Sequence, residues 1–227
     1  MQKRRRRIGV AFLIFLLVGA SGWILGWSSL LDVRQIKVVG IAASSPLKSD
    51  VVITNSGIRI GEPIARLSGA SVKRELGQVP RIASVSLIRK WPHTVVLVIK
   101  ERVPVAAISK GTQFQLIDGE GHEYASVSSM PIGVPMMMIT GDYELGLKTA
   151  MSVITSLPPA ISGELAQIES SGADGVKLTL RGGVQIVWGD SQDPELKSRV
   201  LTMLLAGAGA SRFKTFNVSA PYAPTAY

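Results

Sequence analysis

The stretch that most limits what this chain can fold into runs from Ile82 to Pro104, IASVSLIRKWPHTVVLVIKERVP. Two runs rich in Val, Ile and Leu flank the short connection Trp91-Pro92-His93. In the first run Ile82, Val85, Leu87 and Arg89 mix with small polar residues, which suits a half-buried strand. Thr94 to Ile99 is almost wholly apolar and β-branched, which suits a strand covered on both faces. Pro92 has a fixed φ and no N–H, so it belongs in the turn. The pattern predicts a β-hairpin with a short connection. It ends at Glu101-Arg102, and Pro104 breaks the ladder.

The N-terminus constrains the topology. Ile8 to Leu31 holds no charged residue, which exceeds the about 20 residues needed to span hydrocarbon as a helix. Trp23 and Trp27 lie toward its end, as in an interfacial aromatic belt. Lys3, Arg4, Arg5, Arg6 and Arg7 precede it, so the positive-inside bias keeps residues 1–7 in the cytoplasm and puts everything after Asp32 outside. The rival reading is a cleaved signal peptide with Val18-Gly19-Ala20 at the cleavage site. The apolar character that continues through Trp27, Leu30 and Leu31 favours an uncleaved anchor. The net charge is +9, and without those five cations it is 9 − 5 = +4. The basic balance is therefore largely a topology signal, and nucleic-acid binding is not expected. Cysteine is absent, so an exported domain must be stabilised by packing alone.

Val33 to Gly40 alternates apolar and polar residues and reads as a strand. Pro46 to Ser56 reads as a short helix with Ser45 as N-cap and Gly57 as the stop, and Ala70 to Val79 as a second one. With the hairpin this makes a β-α-α-β-β unit, two helices on one face of a three-stranded sheet. Beyond it, Val105–Ile108, Phe114–Ile117 and His122–Val127 read as strands, with Asp118-Gly-Glu-Gly121 as a turn. Met130 to Ile139, with Met136-Met137-Met138, reads as an extended connector ending in a short strand whose methionines fill a core. Leu145 to Leu157 has helical spacing, stopped by Pro158-Pro159. Strands follow at Leu165–Ser170, Val176–Leu180 and Val184–Trp188. A helix opened by Pro194 carries Leu196, Val200, Leu201, Leu204 and Leu205 on one face. Phe213 to Val218 is the last predicted strand, and Pro221 and Pro224 leave 220–227 as a tail.

Chemistry-bearing motifs are sparse. No glycine-rich phosphate loop or nucleophile elbow occurs. His93 and His122 are isolated, so no structural zinc site is expected. Ser45-Pro-Leu-Lys48 and Ser211-Arg-Phe-Lys214 both fit Ser-x-x-Lys, a short pattern that chance supplies, and no Lys-Thr-Gly partner accompanies it. Asp118, Glu120 and Glu123 are explained by a solvated hairpin turn. Neither catalysis, a metal nor a cofactor is expected. What remains is recognition of another chain at a strand edge. Lys214-Thr-Phe-Asn-Val-Ser219 is a plausible edge because no predicted strand follows to cover it.

Several segments resemble one family in order and spacing. They are Val33–Gly40, Ser56-Gly57-Ile58 before Gly61, Pro80, Arg89-Lys90-Trp91-Pro92, and Glu101-Arg102-Val103-Pro104-Val105-Ala106. Leu116-Ile117-Asp118-x-x-Gly121 and Gly183-Val-Gln-Ile-Val-Trp-Gly189 followed by Lys197, Val200, Leu201 and Leu204 continue the series. Together they are similar to the FtsQ/DivIB bacterial division proteins, over nearly the whole chain. The resemblance implies an α+β fold: a single transmembrane helix at 8–31, a POTRA domain at 33–103, and a mixed, mostly antiparallel β domain with two helices at 104–219. It implies a non-enzymatic single-pass protein of the division septum with FtsB-like and FtsL-like membrane partners and a septal peptidoglycan synthase complex. A POTRA-bearing component of protein export is the alternative. The implied partner-binding residues are Lys214, Thr215, Phe216, Asn217, Val218, Ser219 and Tyr222 at the end of the β domain. Arg89, Trp91 and Glu101 on the hairpin fall on positions tied to recruitment.

Overall fold

The computed structural model describes residues 12–16, 19, 31–172 and 175–227. Most of the expected membrane span lies outside the described residues. Within it, 12–16 are helical with large, exposed apolar side chains. Among the described residues no helix is long and apolar enough to cross a membrane. The chain divides into two compact units, Met1–Arg102 and Val103–Tyr227.

In the first unit, β1 (Gln35–Val39) is followed by α1 (Ser49–Asn55), a 3-10 turn (Ile64–Arg66), α2 (Gly69–Leu76), β2 (Ile82–Lys90) and β3 (Thr94–Glu101). The sheet order is β1-β3-β2. β3 is therefore the central strand, parallel to β1 and antiparallel to β2, which is why its sequence is apolar on both faces. The register sets Val85 opposite Ile99 and Leu87 opposite Leu97. With Val95 these form one core with Val52 of α1 and with Val72 and Leu76 of α2. The hairpin turn contains a cis Trp91–Pro92 peptide. Ser68 caps α2, its hydroxyl accepting from the Ser71 N–H at 3.2 Å. The expected cap of α1 is corrected: Lys48 occupies the N-cap without a side-chain bond. The Ser45 hydroxyl instead donates to Glu101 and accepts from the Leu47 N–H.

The second unit contains β4 (Pro104–Lys110), β5 (Gln113–Asp118), β6 (Glu123–Val127), β7 (Met136–Ile139), α3 (Tyr143–Ser156), α4 (Pro159–Ser162), β8 (Leu165–Ser170), β9 (Val176–Leu180), β10 (Gln185–Gly189), α5 (Pro194–Ala206), a 3-10 turn (Ala210–Arg212), β11 (Thr215–Asn217) and β12 (Thr225–Ala226). All the strands form one sheet, ordered β12-β11-β10-β9-β8-β7-β4-β5-β6. The pairs β4–β7, β7–β8 and β10–β11 are parallel and the rest antiparallel. The row Met137, Ile168, Leu178, Ile186 and Phe216 crosses five strands on the side covered by α3 and α5. Of the three methionines, Met137 is the one in the core. Pro158-Pro159 does end the periodic helix, but Pro159 also opens the short α4, since proline at the first helical position loses no intrahelical bond. Gly146 lets α3 lie close on β7: a Cβ there would fall 2.5 Å from Ile139 Cγ2.

One buried charge holds the start of α5. Lys197 is 1% exposed, and its Nζ donates to the Asp190 carbonyl at 3.0 Å and to Asp190 Oδ1 at 2.6 Å. The Lys197 ammonium holds the Asp190 carboxyl below the usual aspartate range, outweighing the opposing desolvation. A depressed folded-state value contributes stability above the unfolded pKa, and that contribution is lost as pH falls through the depressed value. The acid limb of unfolding is therefore expected to be shallower in Asp190→Asn than in the parent, followed by circular dichroism. Lys197→Met combined with Asp190→Asn, which replaces the ion pair as a whole by uncharged side chains, is expected to keep the melting temperature near that of the parent.

Candidate partner-binding surfaces

β11 is only three residues long, but its centre is firmly packed. Phe216 is 2% exposed and stacks edge-on against Phe213, centroids 6.3 Å apart at 77°. Val218 is fully buried, and its N–H donates to the Val187 carbonyl at 2.9 Å. The side chains of Phe216 and Val218 thus belong to the core. Lys214 and Tyr222 are exposed, and Thr215 and Asn217 are partly covered. Asn217 Oδ1 accepts from the backbone N–H and the hydroxyl of Ser219, at 3.0 and 2.7 Å.

The reading of this strand as the sheet edge is corrected. Residues after Pro221 turn back, with Ala223 N–H donating to the Ala220 carbonyl, and β12 pairs antiparallel on β11. The Lys214 and Thr215 N–H groups both donate to the Tyr227 carbonyl, and Tyr227 N–H returns to the Thr215 carbonyl at 3.0 Å. Residues of an antiparallel pair alternate between inward and outward backbone groups. Thr215–Tyr227 is an inward pair, so the backbone of Ala226, one residue away, faces outward. The two prolines that suggested a tail bound a tight reversal, and that spacing was the available signal.

On the hairpin the three singled-out residues are not brought together. Arg89 and Trp91 lie at the turn, while Glu101 pairs with Ile82 at the open end. Six residues of β3 separate these ends, about 20 Å. Arg89 reaches over the helical side of the sheet, where its Nε donates to the Ile64 carbonyl at 3.2 Å and its Nη2 to the Leu67 carbonyl. It thereby ties down the 3-10 turn that precedes α2. Glu101 ties the loop after β1: Oε1 accepts from the Ala42 N–H at 2.8 Å, and Oε2 accepts from Ser45. Trp91 is 50% exposed. Arg89→Ala removes both guanidinium bonds, and charged hydrogen bonds of this kind are worth about 1.5–3 kcal/mol each. Because Arg89 is exposed, solvent discounts that sum. The variant is expected to destabilise the first unit by about 2 kcal/mol, visible as a lower denaturant midpoint, so a loss of recruitment reports the fold as much as contact.

The carboxylates separate into two groups. Asp118, Glu120 and His122 lie with their ligand atoms within 4.8 Å of one another. Asp118 is buried rather than solvated, its Oδ1 accepting from the Glu120 and His122 N–H groups at 2.9 and 2.8 Å, which shapes the turn. Glu123 faces elsewhere, accepting from Lys110 Nζ at 2.6 Å and from the Tyr143 hydroxyl. Burial pushes its carboxyl up, but the bonds from Lys110 and Tyr143 outweigh this and hold it low. Burial and Glu123 together push the Tyr143 hydroxyl well above its ordinary range.

Two family models match in tandem: "POTRA domain, FtsQ-type" over residues 31–102 and "Cell division protein FtsQ/DivIB, C-terminal" over 106–212. The chain is 32% identical over 232 residues to a cell division protein FtsQ of Streptomyces bingchenggensis, covering 97% of this chain and 86% of that one. A FtsQ of Streptomyces collinus is 29% identical over 237 residues, covering 98% and 88%. One of Mycobacteroides abscessus is 30% identical over 215 residues, covering 94% and 67%. Among solved structures, the major extracytoplasmic domain of DivIB from Geobacillus stearothermophilus, in its trans isomer, matches at TM-score 0.31 and 16% identity, over 38% of this chain and 76% of that one. The tandem domain models and the near full-length relatives agree: the chain belongs to the FtsQ/DivIB family of cell division proteins.

Proposed function

We propose that this chain is a non-enzymatic, single-pass membrane protein of the division septum. Its external units would link FtsB-like and FtsL-like membrane partners to the septal peptidoglycan synthesis machinery. The uncharged run from Ile8 to Leu31 behind five cations supports the anchor and its orientation, with the N-terminus inside. The observation that carries the partner-binding reading is the end of the nine-stranded sheet. Its outermost strand on this side, β12, is two residues long and presents the outward backbone of Ala226 next to the exposed Tyr227, with the exposed Tyr222 in the reversal that leads into it. A partner strand added there would continue the sheet by backbone hydrogen bonds. Lys214, Thr215, Asn217, Ser219 and Tyr222 would frame that addition, with Phe216 and Val218 supporting it from the core. Arg89 and Glu101 would act by holding the shape of the hairpin, and Trp91 by its exposed place at the turn.

The test is co-purification of the full chain with an FtsB-like partner. Ala226→Pro removes an outward N–H and no bond to β11, a position where edge strands tolerate proline. This variant is expected to fold as the parent does and to lose the partner. Undiminished binding by a folded Ala226→Pro would rule out strand addition at β12.

A further inference from the structure

The register of β1 on β3 gathers three segments at one end of the first unit. Gln35 lies opposite Thr94, and the Arg34 and Gln35 N–H groups donate to the His93 carbonyl at 2.9 and 3.1 Å. The hairpin turn therefore sits beside the point where the chain enters the sheet. The loop before the 3-10 turn joins them: Val33 N–H donates to Glu62 and Gly61 N–H to Val33, both at 2.8 Å, and Asp32 bridges to Pro63.

This end has an uncommon surface. Ile60 is 64% exposed, Trp91 50% and Ile88 46%, three large apolar side chains within or next to these segments. Exposed Arg34, Lys37, Arg59 and Lys90 surround them. The carboxylates here are Asp32, which holds Arg34 Nε at 2.9 Å and faces His93, and the half-buried Glu62. On the outer face of the sheet the exposed Ile88 and Lys37 flank the buried Val96 in one row, and Lys90, Thr94 and Gln35 make the next. Tryptophan and an aliphatic residue ringed by cations match a headgroup layer, where the indole finds both an apolar and a polar neighbour and the cations find phosphate.

We infer that this end of the first unit rests on anionic phospholipid headgroups, with Ile60 and Trp91 at the interface and Arg34, Lys37, Arg59 and Lys90 facing lipid phosphate. The inference rests on the single-pass reading. Between Leu31 and β1 stand Asp32, Val33 and Arg34, which span at most about 10 Å even when extended. That distance is comparable to the Debye length of about 8–10 Å at about 0.1–0.15 M salt, so these cations would sit inside the field of a surface that carries anionic headgroups. Charge complementarity and the short tether select the bilayer over a soluble partner as the occupant.

The chain lacks cysteine, so single labels can be introduced cleanly. The full chain is reconstituted in nanodiscs of phosphatidylcholine with or without phosphatidylglycerol, carrying a nitroxide at Ile60→Cys, at Trp91→Cys, or at the exposed Ser84→Cys toward the other end of β2. In phosphatidylglycerol discs the labels at 60 and 91 are expected to collide several-fold more with oxygen than with aqueous nickel chelate, relative to the label at 84. Arg59→Glu with Lys90→Glu is expected to return them to the aqueous value while the chain still co-purifies with the disc. Aqueous labels on a chain that stays in the disc would overturn the lipid contact and leave the anchor standing. Failure of the chain to enter the disc would overturn both. Shielding that appears only when a division partner is added would assign this end to protein and overturn the proposal.

Discussion

Gly40→Ala is expected to remove about 4 kcal/mol from the stability of the first unit. Gly40 has φ +92°, in the region that side chains rarely adopt, and a Cβ there would lie 2.1 Å from the Ile99 carbonyl oxygen. The obstacle is backbone of the central strand, which cannot rotate away as a side chain could. Backbone strain and overpacking each cost about 1–3 kcal/mol, giving about 4 kcal/mol together. A unit of this size holds about 4–10 kcal/mol in total. Hydrogen exchange on β1 and β3 of the full chain reads the effect as loss of protection. Gly61→Ala is the control, because Gly61 also has positive φ, at +89°, but a Cβ would meet nothing within 4 Å. It is expected to cost only about 1 kcal/mol. Similar losses in both variants would show that the contact with Ile99 does not matter.

Phe216→Ala is expected to destabilise the second unit by about 4 kcal/mol, the range for removing a large aromatic side chain from a core. Phe216 ends a row of buried residues that crosses five strands. Substitution there would abolish partner binding by removing the platform on which β12 rests. The contrast with Ala226→Pro separates platform from contact. Thermal unfolding should move by many degrees for Phe216→Ala and stay near the parent for Ala226→Pro, while both lose the partner. If Phe216→Ala kept parental stability, the core role assigned to β11 would be wrong.

Much of the fold is legible in the chain because the relevant signals are local. The period of two in β1, the apolar run of β3 and the helical spacing of α3 and α5 each reside in a few consecutive residues. The uninterrupted apolar character of Thr94 to Ile99 also fits the central strand, which has a neighbour on each side. The site was less legible. Arg89 and Glu101 look like surface charges, yet each is fixed by backbone groups more than twenty positions away in sequence. Lys197 looks like the polar face of a helix until the loop carrying Asp190 folds over it.

The sequence by itself determined where the long helices and all the strands but β12 form, and that a cationic and then an apolar segment precede them. These follow from side-chain size, branching and charge acting over one or two turns of chain. Only the tertiary structure decided that β7 inserts between β4 and β8 to make one nine-stranded sheet, and that β12 covers β11. It alone also put Ile60, Trp91 and the chain entry at one end. Such pairings are made by backbone N–H and C=O groups, which are the same in nearly every residue. They leave no mark in residue identity, and their partners are chosen by which buried faces can be covered together.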